Sequence, residues 1–295
     1  DPSAGGLMAL LQAHDPLPGL RVVDPAFDWA QIQLRMRDGV QLSPLLPLGG
    51  DAGLVWVPKN GCSTLKRVWL QLQGADCQQP GFDPHSAALP SAYWLNPDEL
   101  RAVSEHRSLV AIWRDPIDRF VSACRSHLVE LTTAAIHDKL RLSSPDQSSF
   151  ENALRFHDDL FAGHGVCSFA DDADPVHVMN QVALQLPAWI ACHIDWSHHT
   201  IAQISFLGGD PRCYRTILGM EQIDALLAHW AKESGLPLDL TPQHVSREEA
   251  TKNPWRSLRR DQLSREALAA LERFYAADWA FLELAQQQLG AWQAA

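Results

Sequence analysis

Leu54-Val55-Trp56-Val57-Pro58-Lys59-Asn60-Gly61-Cys62-Ser63-Thr64-Leu65-Lys66 runs from a short apolar stretch through a polar loop with one lysine into the start of a helix. Leu65, Val68, Trp69 and Leu72 then recur at helical spacing, so the loop lies between a buried strand and an amphipathic helix. Amides at a helix N-terminus point outward and carry fractional positive charge, so a phosphate or sulfate is held there by backbone alone. Lys59 and Thr64 add an ammonium and a hydroxyl to the same cradle. A Walker A loop needs a Gly, four residues, then Gly-Lys-Ser/Thr, whereas here Lys59 precedes the single Gly61, which disfavours ordinary ATP or GTP hydrolysis.

A second strand, turn and helix begins at Leu109-Val110-Ala111-Ile112-Trp113 and continues through Arg114-Asp115-Pro116-Ile117-Asp118-Arg119-Phe120-Val121-Ser122. Asp115 suits an N-cap and Pro116 the first helical position. Ile117, Phe120, Val121, Cys124 and Leu128 mark the buried stripe, which puts Arg119, Ser122 and Ser126 on a polar face and His127 toward solvent. Arg114 at the strand end and Ser122 two turns into the helix can converge on one anion.

The lysine-first loop resembles the 5′-phosphosulfate loop of sulfotransferases that use 3′-phosphoadenosine 5′-phosphosulfate (PAPS). The Arg-Asp-Pro-x-x-Arg-x-x-Ser pattern from Arg114 to Ser122 resembles the 3′-phosphate motif of the same family. The order and separation of the two also match. Near the end, Tyr275-Ala276-Ala277-Asp278-Trp279 is similar to a Tyr-x-x-Asp-aromatic signature of carbohydrate sulfotransferases and their bacterial relatives. The likeness runs from about Leu54 to Leu284 and is thin between motifs. It implies that Asn60, Gly61, Cys62, Ser63 and Thr64 hold the 5′-phosphosulfate with Lys59, and that Arg114 and Ser122 hold the 3′-phosphate. It also implies a P-loop-like α/β fold.

The residues by themselves give strands at 54–57, 109–113 and near 213–218, with helices at 64–73, near 97–106, 116–131, near 149–161, 179–192, 220–234 and 264–289. Strands alternating with helices imply a three-layer sandwich, a central parallel sheet with helices on both faces. Ligands bind such sheets beyond the carboxyl ends of the strands, where both loops fall. No linker, repeat or low-complexity block divides the 295 residues, so one domain over 1–295 is expected, with 1–53 a mixed N-terminal region.

A formal charge of −11 excludes a general nucleic-acid binder, which relies on a broad basic surface. The cations an anionic donor needs are instead local: Lys59, Lys66, Arg67, Arg114, Arg119 and Arg125 around the motifs, and Arg247, Lys252, Arg256, Arg259 and Arg260 in one later run. That run is either a solvated face or a basic lid. Six cysteines without close pairs form neither a zinc ribbon nor a dense disulfide framework. No run of about twenty apolar residues and no charged-then-apolar leader is present, so the expectation is a cytoplasmic, bacterial-type chain without a membrane span.

Sulfuryl transfer needs a cation at the leaving oxygen and a base at the acceptor hydroxyl. Lys59 is the expected cation. His85, between the two motifs, is the expected base, with His193, His198, His199 or a carboxylate as alternatives. The acceptor is expected to be a hydroxyl of a carbohydrate or small metabolite, with no metal. Two other readings stay open: a metal-dependent hydrolase or oxygenase built on His193, Asp195, His198 and His199, and a nucleotide- or glycan-binding module without turnover.

Overall fold

The structure is a computed structural model and describes residues 39, 41–48, 52–79, 82–84, 93–241 and 253–289. In chain order the elements are β1 (Ser43–Pro47), β2 (Ala52–Val55), α1 (Cys62–Leu72), β3 (Tyr93–Leu95), α2 (Pro97–Ser104), β4 (Ser108–Trp113) and α3 (Pro116–His127). A 3₁₀ turn at Leu128–Leu131 leads to α4 (Thr133–Ser143), α5 (Gln147–Gly163), α6 (Pro175–Leu184), α7 (Leu186–Cys192), α8 (Ile194–Thr200) and α9 (Ile204–Leu207). β5 (Thr216–Gly219), α10 (Ile223–Ser234), α11 (Arg265–Phe274) and α12 (Ala276–Leu289) complete the order.

By their contacts these residues fall into two compact units, one within Asp1–Arg114, Ala202–His244 and Ala277–Ala295, the other within Asp115–Ile201 and Val245–Ala276. No linker composition marks the crossings; the first lies between Arg114 and Asp115, inside the second motif.

The first unit is α/β. Among the described residues its five strands lie in the order β3-β1-β2-β4-β5. β2, β4 and β5 pair in parallel, Val55 opposite Ala111 and Trp113 opposite Gly219. β1 is antiparallel to both its neighbours, so four strands share a direction and β1 alone opposes them. Alternate side chains of a strand leave opposite faces. Leu54, Val110, Ile112 and Leu218 pack with Leu65, Val68 and Trp69 of α1 and Ile223, Leu227 and Trp230 of α10. On the other face Trp113 stacks on Phe281 of α12, centroids 6.0 Å apart, and Tyr214 meets the same ring edge-on. The mostly parallel sheet with helices on both faces is the expected architecture.

The second unit is helical among the described residues. Trp189 of α7 packs between Phe161 and Phe169, and Trp196 of α8 meets Phe120 of α3 edge-on.

Several boundaries differ from expectation. The helix expected at 179–192 is two, α6 and α7, broken where Pro187 removes an amide donor and starts a new first turn. That expected at 264–289 breaks at Tyr275, and 116–131 tightens to 3₁₀ after His127. β1 and β3 were not anticipated, nor were α4, α8 and α9. No helix among the described residues is long and apolar enough to cross a membrane.

Candidate anion-binding site

The loop after β2 is a tight turn followed at once by a helix. The Asn60 amide donates to Val57 O at 3.1 Å, and Leu65 N donates to Gly61 O at 3.0 Å as α1 begins. Lys59 and Gly61 sit at φ 69° and 71°, and Lys59 is the one non-glycine residue with positive φ among the described residues. A side chain disfavours that region by about 1–2 kcal/mol. Gly61 supplies no capping side chain to α1, and no acidic residue occupies the first turn. At α3, by contrast, Asp115 Oδ1 accepts from Ile117 N and Asp118 N at 2.8 and 3.0 Å. Of the two motif helices, α1 is therefore the one with no side-chain cap at its N-terminus.

The two motif loops meet. Arg114 Nη1 donates to Lys59 O at 2.7 Å. Asn60 Nδ2 donates to Ile112 O at 2.8 Å and to Gln203 Oε1 at 2.7 Å. Gln203 also accepts from Arg114 N at 3.3 Å and donates from Nε2 to Arg114 O at 2.8 Å. Its own backbone is held by Asp278, whose Oδ2 and Oδ1 accept from Gln203 N and Ile204 N at 2.9 and 3.0 Å. Asn60, Gln203 and Asp278 are fully buried.

All the expected site residues but His85 have a definite place. Lys59, Gly61, Ser63, Arg114 and Ser122 are half-buried, while Cys62 and Thr64 are buried. Asn60, expected to present its amide to the ligand, instead closes the turn with that amide and faces inward with its side chain. Ser122 lies on α3 in the second unit, where its carbonyl accepts from Ser126 Oγ. His85 lies outside the described residues. Gln203 was missed because a lone glutamine in an apolar run carries no motif. Asp278 belonged to the Tyr275 to Trp279 signature, but nothing there indicated what its carboxylate would hold.

Four cations leave the expected cluster. Arg119, placed on a polar face by periodicity, is fully buried and donates from Nη1 to Ile201 O at 2.6 Å; long side chains can turn inward where a carbonyl awaits them. Lys66 is buried with Nζ 3.8 Å from the centroid of Trp56, and burial holds its pKa below the ordinary lysine value despite the nearby Cys62 and Asp83. Arg67 pairs with Asp239 at 2.8 Å. On the second unit, Arg125 Nε donates to Leu258 O at 2.6 Å. Arg260 pairs with Asp115 and Asp118 at 3.0 and 3.3 Å, and Arg247 and Lys252 lie outside the described residues.

The histidine segment forms α8, with His193 just before it. His193 Nδ1 accepts from Trp196 N at 3.2 Å as the N-cap of α8. His127, expected in solvent, is half-buried: its ring stacks on His199 at 3.9 Å and its Nδ1 lies 2.7 Å from Glu130 Oε1. Among the described residues no group of three or more His, Cys, Asp or Glu could hold a metal ion.

What the first unit assembles is an uncapped helix start, a left-handed lysine beside it and an arginine tied to that lysine's carbonyl, all beyond the carboxyl ends of two parallel strands. Such an arrangement suits a ligand bearing phosphate or sulfate groups. Searches of curated proteins and of solved structures each found no match. A family model described as "Sulfotransferase family" matches residues 54–284, a span that begins at β2 and takes in both motif loops, Gln203 and Asp278: the chain belongs to the sulfotransferase family.

Proposed function

We propose that the chain transfers a sulfuryl group from PAPS to an acceptor hydroxyl, in a single sulfotransferase domain of carbohydrate type like those of bacterial relatives of the Golgi enzymes. The observation that carries this reading is the pair of adjacent strand-end loops, joined by Arg114 Nη1 to Lys59 O at 2.7 Å. Two cationic loops held at fixed spacing suit a donor with an anionic group at each end.

In this reading the amides of Gly61, Cys62, Ser63 and Thr64, with the Thr64 hydroxyl, hold the 5′-phosphosulfate. Lys59 stabilises the charge that builds on the leaving phosphate oxygen as the S–O bond breaks. Arg114 takes the 3′-phosphate, and Ser122 is assigned to it on the motif alone. His85 takes the proton of the acceptor hydroxyl as the new S–O bond forms. The step is an in-line displacement, so positioning supplies most of the rate. No metal is assigned a part. A cytoplasmic setting goes with this reading and with six free cysteines, five of them buried.

The test is transfer itself. Purified protein incubated with PAPS and a panel of hydroxylated sugars and small alcohols should add one sulfo group to an acceptor, read by mass spectrometry. Formation of adenosine 3′,5′-bisphosphate should match it mole for mole. Bisphosphate binding without transfer to any acceptor in the panel would favour a binding module instead.

A further inference from the structure

We propose that Gln203 is a positioning residue that fixes the separation of the two anion loops, and so sets how well a ligand charged at both ends is held. The proposal rests on the functional reading above.

The ladder between β2 and β4 reaches only as far as Val55 opposite Ala111. Beyond it β2 passes into its loop while β4 runs on to Trp113 against β5, so the tie between the two loops comes from side chains. Gln203 supplies it. Its primary amide contacts both the N–H and the C=O of Arg114, at 3.3 and 2.8 Å, which is what a neighbouring strand residue would do at the end of β4. The same Oε1 takes Asn60 Nδ2 at 2.7 Å, so one amide grips both loops.

The grip is rigid because Gln203 is itself held. Asp278 accepts from its backbone N–H and from that of Ile204, a charge-assisted pair in a buried setting. On the other side Phe206 N and Leu207 N both donate to Gln203 O at 2.9 Å. Gln203 has no exposed surface, so its influence passes through Asn60 and Arg114, and through Arg114 to Lys59 O.

A residue that sets spacing affects a two-ended ligand more than a one-ended one, because the second contact is gained only if both sites are reached together. Calorimetry on the full chain with adenosine 3′,5′-bisphosphate and with adenosine 5′-monophosphate reads this directly. In Gln203→Leu the preference for the bisphosphate should fall about tenfold, with the monophosphate affinity changed less than about threefold. Should that variant fail to fold, Gln203→Glu serves. It keeps the acceptor atoms that face Asn60 and Arg114 N and loses the donor to Arg114 O, so it should lower the same preference.

A folded variant with a reduced melting temperature but an unchanged preference would overturn the positioning role. Wild-type protein that binds the bisphosphate no better than the monophosphate would overturn it too. Wild type that binds neither nucleotide would strike the functional reading itself, a failure distinct from the other two.

Discussion

Lys59 combines a functional expectation with a backbone that resists it. At φ 69° any side chain is disfavoured, and such local cost persists where the surroundings over-determine the conformation. Here the surroundings are the Arg114 contact to its carbonyl and the turn closed by Asn60. Lys59→Ala and Lys59→Gly should both lower kcat by two to three orders of magnitude, about 3–4 kcal/mol of transition-state stabilisation, in single-turnover assays. Yet in urea titrations the glycine variant should be more stable than the alanine variant by about 1 kcal/mol, since only glycine enters this region without strain. Equal stability would mean that the left-handed turn is not present in solution. The sequence showed which lysine stands before the loop; the sign of its φ is a tertiary outcome and left no trace in residue order. Arg119 makes the same point, because periodicity places a side chain on a face but does not reveal a carbonyl such as that of Ile201 waiting beneath it.

At the scale of elements, the loops and the flanking α1, β4 and α3 were legible because their signals are local: an apolar run, Asp115 with Pro116, and a helical stripe. β1 was not. It carries Pro44 and Pro47 yet pairs on both sides, and proline in a central strand argues against that assignment. Pro44 remains useful through its carbonyl, which accepts from Trp56 N at 3.2 Å. In α4, Ile136 alone is buried, too little for a readable stripe. Within α3 the cap is local too: Asp115→Ala frees the amides of Ile117 and Asp118 and removes one partner of Arg260. It should cost about 1 kcal/mol in denaturant midpoints, and no loss would deny the cap. In α1 the buried Lys66 runs the other way. Its pKa lies below the ordinary 10.5, chiefly through desolvation. Below the folded-state value the amine is charged in both states and the burial cost is fully present. Between that value and 10.5 the unfolded chain holds a proton the folded chain has lost, so stability rises with pH there. Lys66→Met should therefore stabilise the protein at pH 7 by about 1 kcal/mol, with a gain that shrinks as pH approaches 10.5. A gain independent of pH would show that the amine does not titrate there.

For the whole molecule, an acidic chain must concentrate its cations to bind an anion. It does so with fewer than composition promised, since Lys66, Arg67 and Arg119 are engaged inside the fold. Arg125 is tied to Leu258 O as well, so among the described residues the proposed site rests on Lys59 and Arg114, which would place the burden of recognition on geometry rather than on charge count. Binding of adenosine 3′,5′-bisphosphate tests that most directly. Calorimetry should give one saturable site per chain, and bisphosphate at a hundred times its Kd should stabilise the protein by about 2.7 kcal/mol, visible as a raised Tm. Arg114→Ala should weaken this binding while the fold is retained. No heat and no thermal shift in the wild-type protein at saturating bisphosphate would contradict the account.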